Sequence, residues 1–151
     1  MLAFTCLALP TFAFSASAPG EMRELTIVAI IDANGNRVSF GNNVRINSRA
    51  AYIAPGTTVI FGDLPSGGGP AALTAGKKCT VNLTISPAGL VEMSHQKANG
   101  SGNTLFYREA TTNRTSHSGN FTIPTTDNYY FQVKNIGTST VEFINGTYNV
   151  K

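Results

Sequence analysis

The clearest signal along the chain is a period of two. In the run KKCTVNLTI, residues 77–85, Cys79, Val81, Leu83 and Ile85 share one side, while Lys78, Thr80, Asn82 and Thr84 share the other. Strand side chains alternate between faces, so this run predicts a β-strand with one buried face. The same grammar fills residues 121–150. Phe121 and Ile123 alternate with polar neighbours up to Pro124, and Tyr129, Phe131 and Val133 alternate with Tyr130, Gln132 and Lys134. Val141 and Phe143 follow Asn135-Ile136-Gly137, and Tyr148 and Val150 follow Asn145-Gly146, which reads as a turn between two short strands.

Earlier segments fit the pattern. ELTIVAII (24–31) predicts a first strand, Asn34-Gly35 a tight hairpin turn, and RVSF the return strand with Val38 and Phe40 inward. VRINS, residues 50–54 and TTVIF (57–61) follow, separated by Gly-Asn and Pro55-Gly56 turns. Pro87-Ala88-Gly89 is expected to turn the chain into LVEMSHQ, where Val91, Met93 and His95 share a face. TLFYREATT then places Leu105, Tyr107 and Glu109 on one side and Phe106 and Arg108 on the other. PSGGGP (65–70) lacks the Gly-Lys-Ser/Thr ending of a phosphate loop and reads as a flexible surface loop. No window keeps a helical period, so the expected fold is all-β: an antiparallel, jelly-roll-like β-sandwich, with a closed β-barrel as the alternative.

Composition narrows the setting. The chain has 151 residues, enough for one domain with a real core, and 42% of them are hydrophobic. Only 13% are charged; Thr, Asn, Ser and Gly take the polar positions, as in a β-rich extracellular protein. Residues 1–18, MLAFTCLALPTFAFSASA, are apolar, uncharged and end in Ala16-Ser17-Ala18. They read as a secretory signal peptide, leaving 19–151 as a single sandwich domain; an apolar N-terminal strand is the competing reading. The cleavage point is open, since Pro19 follows, and the missing basic residue ahead of the run leaves a start upstream of Met1 open too. Cys6 falls in that leader, and Cys79 reads as a buried small hydrophobe.

The net charge of +3 comes from scattered bases, with Lys77-Lys78 the only adjacent pair, so no nucleic-acid surface is expected. No second apolar stretch offers a membrane span, and no motif asks for a cofactor or a metal. Catalytic candidates are thin: Glu92, Glu109 and Glu142 for a paired-carboxylate hydrolase, and His95 and His117 for a metal or an acid–base pair. Five Asn-x-Ser/Thr sequons occur, at Asn82, Asn99, Asn113, Asn120 and Asn145. They mark above all a neutral outer face. Such a face, with occasional Tyr, binds sugars through ring stacking and amide hydrogen bonds, and Tyr52, Tyr107 and Tyr130 are the candidate platforms.

The segments FTIP (121–124), YYFQVKN (129–135), GTST (137–140) and NGTYNV (145–150) resemble the closing strands of secreted bacterial β-sandwich modules of the prepeptidase C-terminal and carbohydrate-binding sort. The chain as a whole looks like small stand-alone exported proteins of Gram-positive bacteria. It departs in having Asp127-Asn128 where such modules usually place Gly. The resemblance implies a sandwich fold and an extracellular setting, and transfers no binding residues. The expectation is therefore a secreted, non-enzymatic sandwich that binds an extracellular ligand or cell-surface component, with glycans the first class to test. A structural or assembly role at the cell surface and a hydrolase with an unrecognised site are the alternatives; the oligomeric state is open.

Overall fold

The computed structural model describes residues 20–38 and 51–151. The expected leader at 1–18 and the expected strand VRINS lie outside them, as do the last two residues of RVSF. The described part holds eight strands: β1 (Met22–Ile31), β2 (Ala51–Ile53), β3 (Thr58–Asp63), β4 (Ala71–Leu73), β5 (Lys78–Lys97), β6 (Thr104–Thr122), β7 (Asp127–Asn135) and β8 (Val141–Val150).

All pairings are antiparallel, and they close on themselves. β8, β1, β3, β7 and β5 follow one another, and β5 pairs back to β8, which completes a ring of five strands. The ring is flattened into two layers over one core. In layer one the first half of β5 lies between β6 and β8, and β8 also takes β2 and the start of β1. In layer two the second half of β5 lies between β6 and β7, followed by β3 and the rest of β1; β4 pairs with β7. The fold is thus the expected antiparallel sandwich, with its two layers joined at both sides, through β1 and through β5, as in a closed barrel.

Alternation decides what enters the core. Cys79, Val81, Leu83 and Ile85 from layer one meet Val91, Met93, Phe131 and Val133 from layer two, all buried. Rings interlock there: Phe61 and Phe143 lie 4.6 Å apart by centroid, Phe131 and Tyr148 5.1 Å. Burying each such side chain contributes roughly 1.5–3 kcal/mol. Cys79 is free and fully enclosed, and burial pushes its thiol pKa up to about 12, so it packs and does not react.

Several local expectations are corrected. Pro87-Ala88-Gly89 does not reverse the chain. β5 runs 20 residues through it, bending with a register break between Thr84 and Gly89 that carries it from one layer to the other. Asn145-Gly146 is likewise no turn; it sits inside β8 opposite Thr84 and Leu83. Asn34-Gly35 does turn, with Gly35 at φ 85°, and among the described residues the return is one bridge between Arg37 and Ile31. In β6 a register shift opposite Met93 and Ser94 breaks the expected alternation: Leu105 is exposed, while Phe106 and Tyr107 both pack on the core.

The PSGGGP segment is fastened, not loose. Gly68 N–H donates to the Asp63 carbonyl, Asp63 N–H to Gly69, and Leu64 N–H to Glu24. A Cβ at Gly62 would stand 2.3 Å from the Gly68 carbonyl oxygen, so the return path requires glycine there. The same corner holds a buried charge cluster. Arg23 from β1 makes a two-point contact with Asp63 from β3, Nε to Oδ1 at 2.9 Å, and Tyr148 from β8 donates to Oδ1 at 3.0 Å. Burial alone would raise the Asp63 carboxyl, but the Arg23 and Tyr148 hydrogen bonds outweigh it and hold the pKa below the usual range. The cluster ties together the strands by which β1 crosses between layers.

Candidate binding groove

Layer two carries a groove of about 380 Å³ on its outer face, lined by Thr58, Glu92, Ser94, Asn103, Leu105, Gln132 and Lys134. Period-two alternation builds it. Because Val91, Met93 and His95 turn inward on β5, Glu92, Ser94 and Gln96 turn outward. Because Tyr129, Phe131 and Val133 turn inward on β7, Tyr130, Gln132 and Lys134 turn outward. Cross-strand pairing then places Glu92 beside Lys134, Ser94 beside Gln132 and Gln96 beside Tyr130. Thr58 joins Lys134 from β3, and Leu105 joins Ser94 from β6.

A chain of amides runs along this face. Gln96 Nε2 donates to the Gly100 carbonyl, which can only accept, and this fixes which way the Gln96 amide points. Its Oε1 then accepts from Gln132 Nε2 at 2.7 Å, and Gln132 Oε1 accepts from Asn103 Nδ2 at 3.5 Å. Each amide keeps further donors and acceptors on fixed axes. Glu92 pairs with Arg108 at 3.2 Å, and at the rim Lys97 pairs with Asp127 at 3.1 Å. Leu105 is the apolar member, half exposed. Together these groups offer aligned neutral hydrogen bonding beside a small apolar surface.

The three candidate tyrosines do not share one surface. Tyr130, partly buried, stands on the outer face of β7 opposite Gln96, one cross-strand pair beyond the lining residues Ser94 and Gln132. Tyr52 is 75% exposed on β2, in the other layer, opposite Glu142. Tyr107 packs against the core, its hydroxyl 3.1 Å from His117 Nδ1, while His117 Nε2 meets the Arg114 carbonyl at 3.0 Å. His95 is enclosed by rings, 4.2 Å from Phe121 and 5.4 Å from Tyr129 by centroid, and its Nδ1 has no partner within the described residues. Burial depresses the pKa of both histidines. Among the described residues no group of His, Cys, Asp and Glu is arranged to hold a metal. Glu109 accepts from the Thr111 and Thr112 amides and pairs with Arg114 at 3.0 Å, away from Glu142 on β8. Among the described residues no helix is long and apolar enough to cross a membrane.

The groove residues Ser94, Asn103 and Gln132, and Gln96 bonded to them, carry no motif and were missed by sequence reasoning. Ser94, Gln96 and Gln132 showed only as the polar side of alternating runs, and Asn103 lies in the loop before β6.

No family model and no curated protein matches this chain. Solved structures of similar fold do. The N-terminal CBM22-1–GH10 modules of Clostridium thermocellum endo-1,4-beta-D-xylanase 10B, complexed with xylohexaose, align at a TM-score of 0.50 and 10% identity, covering 85% of this chain and 28% of that one. A xylan-binding module, CBM86, from Roseburia intestinalis aligns at 0.49 and 10% identity, covering 87% and 97%. The C-terminal CBM6 of a Zobellia galactanivorans laminarinase aligns at 0.46 and 9% identity, covering 85% and 99%. The chain thus spans little more than a quarter of the xylanase chain, and what it shares with it is the β-sandwich fold.

Proposed function

We propose that the protein binds a neutral glycan along the outer groove of layer two. The observation that carries this reading is the amide chain Gln96–Gln132–Asn103, oriented by the Gly100 carbonyl, with Leu105 in the groove and Tyr130 across from Gln96. A sugar hydroxyl both donates and accepts, so fixed amides that do both are its natural partners; a ring or leucine side chain covers the C–H face. The groove is open and lined mainly by polar side chains, which suits a hydrated chain better than an apolar drug-like ligand. The likeness in fold to a module solved with xylohexaose supports trying β-linked oligosaccharides first.

The reading is of a binder outside the cell. The apolar leader with its small-residue end supports export, and Glu92 and Glu109 are each paired with an arginine. Isothermal titration against xylo-, cello- and laminari-oligosaccharides tests the proposal, with Gln132→Ala as the paired control. Binding by the native chain that weakens in the variant is the expected result. Equal binding by both, or heat from neither across the panel, would overturn it.

A further inference from the structure

Among the described residues β6 is the edge strand of both layers, and its two halves are guarded differently. The first half carries Arg108 and Glu109, and Ala110, Thr111, Thr112 and Asn113 loop out between Glu109 and Arg114, which lie opposite Val91 and Gly89. Charges and bulges of this kind stop an open edge from pairing with another chain. The second half has neither. Residues 115–126 contain no charged side chain, and the register with β5 is unbroken from Thr122 opposite Lys78 to Ser116 opposite Thr84.

The backbone of this half points outward in a defined pattern. Lys78 exchanges both of its backbone hydrogen bonds with Lys151, each at 2.9 Å, so its peptide groups face the β8 side. Alternation turns Cys79 toward β6, where its opposite number is Phe121. The N–H and C=O groups of Ser116, Ser118, Asn120 and Thr122 therefore point away from β5, and no described strand pairs with them. Just inside this edge Phe106, Tyr107 and Phe121 are only partly buried.

We propose that this edge pairs with the same edge of a second copy, antiparallel about a two-fold axis at Gly119. Hydrogen-bonded pairs must join residues whose peptide groups face outward on both strands. An axis at Gly119 does this, setting Ser118 against Asn120 of the partner subunit and Ser116 against Thr122 of the partner subunit. The closest Cα approach then falls on a pair of glycines. A two-fold axis also brings each residue near its own copy, so like charges close to the axis would repel; residues 115–126 offer none. Pairing would extend each layer-one face into one continuous Ser/Thr/Asn surface and cover the half-exposed aromatic rim. The glycan groove lies on the other layer, so this inference does not rest on the binding reading.

Sedimentation velocity on the full chain, from low micromolar to about 1 mM, tests it. The expected result is a reversible dimer that Asn120→Pro abolishes, because the lost N–H faces the open edge and the β5 ladder keeps its bonds. Circular dichroism checks that the variant folds. The register is tested separately with Ser118→Cys and Asn120→Cys, since hydrogen-bonded partners lie about 5.5 Å apart at Cα, within disulfide reach. Oxidising a mixture of the two variants should give the mixed dimer far in excess of either homodimer. A monomer at every concentration, a dimer untouched by Asn120→Pro, or cross-links within each single variant alone would each overturn the proposal.

Discussion

The two outer faces of the sandwich are built by the same alternation, yet they differ in kind. Layer one presents Thr80, Asn82 and Thr84 beside Ser118, Asn120, Thr147 and Asn149, a neutral grid in which Ser118 already donates to Asn82 at 2.8 Å. Layer two presents Glu92, Lys134 and Arg108 around the amide chain of Gln96, Gln132 and Asn103. The neutral residues that gave the sequence its sugar-binding look are concentrated on layer one. The concave site is on layer two, where neutral amides are mixed with paired charges. Composition marks a surface as capable of binding, whereas curvature and fixed hydrogen-bond direction make a site.

The strongest way to break this comparison is to remove both faces at once. Asp63→Ala strands Arg23 at the crossing of β1, β3 and β8, and breaking such a buried pair costs about 3–5 kcal/mol. Urea denaturation should show that loss, and the groove should fail with the fold. Next in size, Gln132→Ala breaks the middle of the amide chain. It should weaken oligosaccharide binding about tenfold while shifting stability by under about 0.5 kcal/mol. Asn82→Ala on layer one should leave the titration curve unchanged; an equal loss from Asn82→Ala would erase the contrast. Tyr130→Ala, across from Gln96, should cost a smaller factor, about threefold to tenfold, read in the same titration.

The smallest effect separates interior from surface. His95 and His117 have folded pKa values below their ordinary value of 6.5, so the unfolded chain binds more protons as pH falls. Their contribution to stability is complete above about pH 6.5 and is lost as pH drops through the folded values. Thermal unfolding midpoints should fall across that window, and His95→Leu should flatten the slope. A midpoint that rises on acidification would contradict the buried, neutral state of these rings.

Much of this architecture was legible before any coordinates. Cys79, Val81, Leu83 and Ile85 are buried as their spacing required, and Tyr129, Phe131 and Val133 likewise. Alternation is a local property, so local reading finds it. Chain reversal was less legible. Asn34-Gly35 turns and Asn145-Gly146 does not, because β5 pairs with both residues, past a register shift at Ile144, while β2 and β1 hold the two ends of β8. A dipeptide's turn preference yields to a ladder that long. The groove was the least legible part. Ser94 and Gln132 meet only because β5 and β7 pair in one register, and nothing near either residue announces the other. Tyr130 and Tyr107 were singled out alike for their rings; Tyr130 stands on the outer face of β7 opposite Gln96, whereas Tyr107 has its ring packed on the core.

β5 contributes its first half to one layer and its second half to the other without a break. Because both layers draw on a single backbone segment, their melting is expected to be coupled. Amide hydrogen exchange along Lys78–Lys97 should report one common opening event instead of two. A protease that nicks the chain at the bend would release the whole sandwich, groove and open edge together.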